Sequence, residues 1–407
     1  MKFTISFWAS TAIILMSIQC AHQPSQQQKS EELVKWHGKM HVLSNSLSKL
    51  MPLTSSPRAF NDPKNRDAID REIKVLREIA HKVDRTEIKP TNDPGLSYMA
   101  ERFATNIDEV VHQLEINNRL LARRLLQQNT AHCINCHTST DAGRSNLQLS
   151  ALANLNGLTG LEQADFFIAV RDYDKALNKF DQVVNSPDAL ILNPHDMEAA
   201  AEKALAIAVR VKRDPALANE IVSRIIDAKW APMYLRLNAT MWKKNIEDWK
   251  REQNNKQLTN KEQFALAKRI MSQGWKVNAS SPLSQAGLIH FLRASTILSN
   301  LLGQSPDQPN YAEFLYYAGL AAESLRNINL WTLQDGYYEE CIRSSPKTNI
   351  AKKCYLRYEA LQFSSYATEE ATMLPRDVSE RLRELKNLSL DPQGRGHDWE
   401  AWEMMGE

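Results

Sequence analysis

Apolar residues return at every third or fourth position along most of the chain, and no stretch keeps the two-residue alternation of a strand. That spacing predicts an all-α protein. Before residue 145 it predicts four helices. The first covers 31–51 and stops at Pro52, whose ring removes a donor and crowds the preceding turn. The second covers 66–83, with Ile69, Ile73, Val75, Leu76 and Ile79 as its apolar stripe. A third covers 96–114. Asn117 and Asn118 mark a kink, and the fourth then runs through Leu120, Leu121, Leu125 and Leu126. Residues 57–63 read as a loop carrying the turn Asn61-Asp62-Pro63, and 90–95 as a second break. Four helices on short connections predict an up-and-down four-helix bundle over 31–145.

From 155 to 390 the pattern becomes repetitive. Ala164, Phe167, Tyr173, Ala176, Phe180, Val183 and Pro187 set small residues where paired helices approach and bulky ones where a groove must be filled. This order resembles a tetratricopeptide repeat. A weaker copy falls on Ala206, Pro215, Ala218, Val222 and Ile225, and a third on Ala322, Trp331, Tyr338, Cys341 and Pro346. The copies are degenerate: the first lacks the early Trp, and the third has Gln334 where a small residue is expected. A generic helical array is the competing reading. Either one implies an α-helical solenoid over 155–390, with a concave surface suited to a protein or peptide. Trp230, Trp242, Trp249, Trp275 and Trp331 could line that surface, although aromatics at helical spacing are more often core. The charged stretch 247–261 reads as a solvated helix and loop. Residues 391–407 form a tail whose Trp399, Trp402, Met404 and Met405 are free to dock back.

The start of the chain changes the picture of where it works. Lys2 precedes an apolar run, Phe3 to Ile18, too short to span a bilayer comfortably and of the length of a secretory core. Ser17-Ile18-Gln19-Cys20 and the polar run that follows resemble a bacterial lipoprotein signal, which implies residues 1–20 as signal, lipidation at Cys20 and a polar linker over 21–30. Gln19 and Ser17 depart from the usual residues at their places, so a plain cleaved signal is the alternative. The expected location is the periplasm-facing side of the outer membrane, held by the lipid, or else the soluble periplasm. The net charge of +2 over 407 residues is spread without a basic stripe, which excludes a nucleic-acid partner on electrostatic grounds.

Cys133-Ile-Asn-Cys136-His137 carries nameable chemistry. C-x-x-C-H is the attachment pattern of c-type haem: the thiols a helical turn apart add to two vinyl groups, and the adjacent imidazole is the proximal iron ligand. A zinc site would need a second ligand pair at comparable spacing, and the sequence has none. A thioredoxin-type dithiol would follow a strand, whereas the residues before Cys133 read as helix. One covalent haem c is therefore expected, held by Cys133, Cys136 and His137. Of the other cysteines, Cys341 and Cys354 flank a Ser344-Ser345-Pro346 turn between two helices. In an oxidising compartment they are candidates for a disulfide, the alternative being two small buried hydrophobes.

A haem motif closing the fourth helix resembles the four-helix cytochromes of the cytochrome c-prime type, over residues 30 to 142. In low-spin members of that family a Met on the first helix is the sixth ligand. Here Met40, followed by Leu43, Leu47 and Leu50, matches its pattern, and Leu33, His37, Met40 and Leu47 share one face. Met40 is the distal candidate implied. His37 and His41 compete as imidazole ligands, a plain core methionine is the bland reading, and a five-coordinate iron is the remaining one. His132 is expected to face solvent or lie near a propionate. His81, His112, His195, His290 and His397 read as ordinary residues. The function implied is single-electron transfer to a redox partner protein, with the array positioning that partner. The alternatives are a haem-based gas sensor or a scaffold lipoprotein with a structural haem. No acid, base or nucleophile constellation supports group transfer, so the chain is not read as an enzyme.

Overall fold

The computed structural model describes residues 26–55, 57–84, 91–139, 155–186, 194–252, 258–281, 285–325, 333–366 and 374–390. Cys20 with the segment read as a signal, Pro187, Trp331 and residues 391–407 lie outside them, as do the side chains of Leu33, Thr130, Ala131 and Asn135. The fold is all-α, and no strand occurs among the described residues.

Helix α1 spans Gln26–Ser55, α2 Pro57–Asn61, α3 Arg66–Asp84, α4 Pro94–Glu115 and α5 Arg119–Ser139. The long ones pack in sequence, α1 on α3, α3 on α4 and α4 on α5, and α5 returns to α1. Their shared interior is Leu50, Phe60, Ile69, Ile73, Leu76, Ile107, Val110, Ala122 and Leu126.

Several expectations are corrected here. Pro52 does not end α1 but lies inside its last turn. So near the end it removes only the bond its own nitrogen would have made to Ser48, a small loss beside the burial of Leu50 and Met51. The Nε of Arg123 donates to the Thr54 carbonyl at 2.6 Å, satisfying one of the acceptors that a helix end leaves open. Nor is 57–63 a plain loop. Pro57–Asn61 makes a helical turn that buries Phe60 completely, and Arg119 stacks on that ring and donates to its carbonyl at 2.6 Å. Asn117, at φ 60, separates α4 from α5 as two helices rather than kinking one. Leu120 and Leu121 stay largely exposed, so α5 buries its Ala122 and Leu126 face instead.

The rest of the chain forms helical pairs. Helices α6 (Gly160–Ala169) and α7 (Tyr173–Val184) pack on each other. They lead to α8 (Pro194–Ala206), which continues through a π-turn at Ile207–Val211, and to α9 (Pro215–Asp227). Then come α10 (Met233–Glu252), α11 (Asn260–Ser280), α12 (Leu288–Leu302), α13 (Tyr311–Ser324), α14 (Leu333–Ser344), α15 (Asn349–Tyr366) and α16 (Arg376–Ser389). Of the positions in the repeat-like spacing, Ala164, Tyr173, Ala176, Phe180, Ala206, Ala218, Val222, Ile225, Ala322 and Tyr338 are buried, and Val183 is only partly so. Cys341 and Cys354 are joined as a disulfide between α14 and α15. Trp242 and Trp249 are core, whereas Trp230 and Trp275 are partly exposed. The charged stretch from 247 is not simply solvated, since Glu252 accepts from Arg293 at 2.7 Å and Arg269 at 2.9 Å.

The bundle is seated on the array by a buried polar tie. Asp93, the N-cap of α4, accepts from Gly95 N at 2.9 Å, Ser299 Oγ at 2.6 Å and Tyr337 OH at 3.3 Å. Burial raises its carboxyl above the usual range, the three donors working against that. Close approach of α4 to α14 requires Gly336, where a Cβ would fall 2.4 Å from the Tyr98 ring.

On α8, Lys203 is satisfied by Asp165 at 2.7 Å, but buried Glu202 keeps an Oε1 with no partner among the described residues. Burial, with the nearby Glu198 charge, pushes Glu202 from 4.5 up to about 8. The folded state thus holds a proton that the unfolded chain has released between those values, so stability falls as pH rises through that window and is flat above it. Glu202→Gln should match the parent near pH 4.5 and melt several degrees higher at pH 8.5, as read by thermal denaturation across pH.

Candidate functional site

Three helices each present one stripe to a cavity of about 230 Å³. From α1 come Met40, Leu43, Ser44, Leu47, Leu50, Met51 and Thr54, a spacing of three and four residues that keeps them on one face. From α5 come Leu126, Asn129, Cys133 and His137, the last three spaced four residues apart and so close to one face. Leu158, Glu162, Asp165 and Ala169, on α6 and just before it, close the side that the bundle leaves open. Leu76 of α3 and Phe103 of α4 complete the apolar wall.

Met40, Cys133 and His137 therefore line one cavity. Cys136 packs against the adjoining cluster of Trp36, Val83, Leu96 and Ala100, which Met40 also touches. Burial, with the neighbouring Cys136 thiolate charge, pushes Cys133 up to about 12. Burial pushes Cys136 up to about 11. Reactive dithiols have the opposite shift, because their chemistry needs thiolate. His37 and His41, the competing imidazoles, are exposed.

The imidazole of His137 is buried, and desolvation, with the nearby Arg171 charge, pushes it down to about 3. It is a neutral ring. Its Nδ1 lies 3.3 Å from the carbonyl oxygen of Ile168, and the backbone of Ala169 also acts on the ring. A carbonyl can only accept, so Nδ1 carries the proton and Nε2 keeps its lone pair. That is the tautomer a metal-ligating histidine needs, with the outer nitrogen held by a backbone acceptor. His132 is not solvent-facing, correcting one of its two expected placements. It lies edge-on to Phe103 at 6.5 Å, and burial pushes it down to about 4.

Residues not singled out from the sequence also belong to the site. Asn129 Oδ1 accepts from Asn106 Nδ2 at 2.8 Å, while its own Nδ2 has no partner among the described residues. Its position four residues before Cys133 was a legible signal. Ile168, Glu162 and Asp165 had none, because their proximity to His137 is tertiary. Tyr173, read as a repeat residue, donates its hydroxyl to the His137 carbonyl at 3.0 Å.

The donor set fits a covalently held haem: two half-buried cysteines, an imidazole in the ligating tautomer and a thioether on the facing helix. Cys133, Cys136 and His137 would hold it from α5, and Met40 would supply a further iron ligand. Among the described residues no three His, Cys, Asp or Glu side chains converge as a protein-only metal site would require. Comparison of the chain with protein-family models, with curated proteins and with solved structures finds no match.

With haem attached, Met40→Ala should keep the covalent link and turn a low-spin iron high-spin. The optical spectrum of the oxidised protein checks this, and an unchanged spectrum removes Met40 from the ligands.

Proposed function

We propose that the chain is an exported c-type cytochrome with one covalent haem c, carrying single electrons and not catalysing group transfer. In this reading residues 31–145 are a four-helix haem domain of the cytochrome c-prime kind. Residues 155–390 are a tetratricopeptide-like solenoid that binds a protein partner. The observation that carries the reading is the meeting of Met40, Cys133 and His137 on one cavity, with His137 Nδ1 engaged by the Ile168 carbonyl.

Haem bound by this motif supplies a one-electron iron couple and two vinyl groups that take up the thiols. Cys133 and Cys136 would fix it covalently, and His137 Nε2 would donate from one side. Met40 sulfur, a softer donor than a second imidazole, would favour Fe(II) and raise the potential. The apolar residues of α1 keep water from that side of the cavity. Export agrees with the chemistry of the motif, because c-type attachment takes place outside the cytoplasm. The Ser17 to Cys20 segment would add the lipid anchor at Cys20, facing the periplasm. No described helix is long and apolar enough to cross a membrane. Cys341 and Cys354, joined across α14 and α15, suit an oxidising compartment.

A second reading is a gas-binding sensor. It is favoured by the apolar character of the cavity around a Met40 that is only half-buried.

Expression with a haem-attachment system, followed by oxidised and reduced optical spectra, tests both. A weak far-red sulfur-to-iron band with sharp reduced α and β bands supports Met–His electron transfer. A broad high-spin spectrum that shifts with CO supports the sensor. Cys133→Ala with Cys136→Ala should abolish the covalent haem and leave the array helical by circular dichroism. Absence of covalent haem in the parent overturns both readings.

A further inference from the structure

The turn between α6 and α7 does more than join two repeat helices. Helix α6 ends because Arg171 adopts φ 62, the left-handed conformation that a helix terminus uses most readily with Gly. Arg171 N then donates back to Ile168 O at 2.9 Å, and Asp172 N to Phe167 O at 2.8 Å. These are the paired reverse bonds of a Schellman end. The Ile168 carbonyl has two lone pairs, and this bond uses one. The second faces His137 Nδ1 at 3.3 Å. The same turn places Tyr173 at the head of α7, where its buried hydroxyl donates to the His137 backbone carbonyl at 3.0 Å. His137 is thus held at ring and backbone by two groups five residues apart, both outside the bundle.

We infer that the α6–α7 turn is a positioning device for the proximal ligand, with the Ile168 carbonyl and Tyr173 as its working groups. This rests on the haem reading above and goes past it: the array would set the properties of the iron rather than only dock a partner. The direction follows from chemistry. A carbonyl accepting from Nδ1–H, at the negative end of helix α6, makes the imidazole a stronger donor through Nε2. A stronger donor favours Fe(III). Loosening the turn would weaken that bond and favour Fe(II). Anything that shifts α6 against α5, including a partner seated on the array, would therefore be felt as a change in potential.

Two measurements on the full-length holoprotein test this. In the reduced protein, diamagnetic when Met40 is bound and made so by CO when it is not, nitrogen-15 labelling of histidine should reveal a His137 Nδ1–H proton that exchanges slowly with solvent. In Tyr173→Phe, covalent haem should be retained, that proton should exchange faster, and the Fe(II) to Fe(III) ratio at fixed ambient potential should rise about fivefold, the scale of one weakened hydrogen bond. A purely structural Tyr173 would lower the melting temperature without moving the ratio, and that outcome overturns the inference. So does a rapidly exchanging Nδ1–H in the parent. Both failures leave covalent haem in place, so neither touches the haem reading. A parent with no covalent haem overturns both together.

Discussion

The last turn of α5 must be buried, and most of the architecture follows from that. Cys133, Cys136 and His137 occupy this turn. An amphipathic helix end of this kind exposes polar backbone groups and a titratable ring that an apolar interior penalises. The penalty is met locally: Tyr173 satisfies the His137 carbonyl, and Ile168 accepts the ring proton. Without α6 and α7 against it, the turn would be open to water on the side where the ring is held.

This explains why bundle and array share a core. One apolar cluster runs from Met51 and Ile134 into Phe166, Phe167 and Ile168. Another joins Met99 to Phe314, Tyr337 and Tyr338 and reaches Cys136. The motif lies at the seam between the two clusters. Asp93 supplies the polar counterpart, a carboxylate whose hydrogen bonds reach α12 and α14. A buried group tied to two other helices orients their packing, because losing any partner would leave it unsatisfied.

Electrostatics at the seam run in one sense. His137, Cys133 and Cys136 are all shifted toward their neutral forms, with desolvation the first cause of each. A dry, neutral donor set of this kind can hold a metal complex without competing for protons. It is a poor setting for thiol–disulfide exchange.

Much of this was legible in the chain. Helical periodicity determined the class and located α3, α4 and α5 to within a few residues. The C-x-x-C-H spacing singled out the turn of α5 that lines the cavity, and the resemblance to four-helix cytochromes pointed to Met40 on α1, which lines it too. These are properties of a single helix, so one sequence carries them. What failed were inferences from residue type alone. Pro52 did not stop α1, the segment at 57–63 was ordered by burial of Phe60, and His132 found an aromatic neighbour rather than water. Only the tertiary structure decided that residues 158–169 close the cavity, and that a carbonyl 31 residues beyond His137 holds its ring. Backbone carbonyls are alike in every residue, so composition and spacing cannot mark the one that a fold will turn toward a ligand.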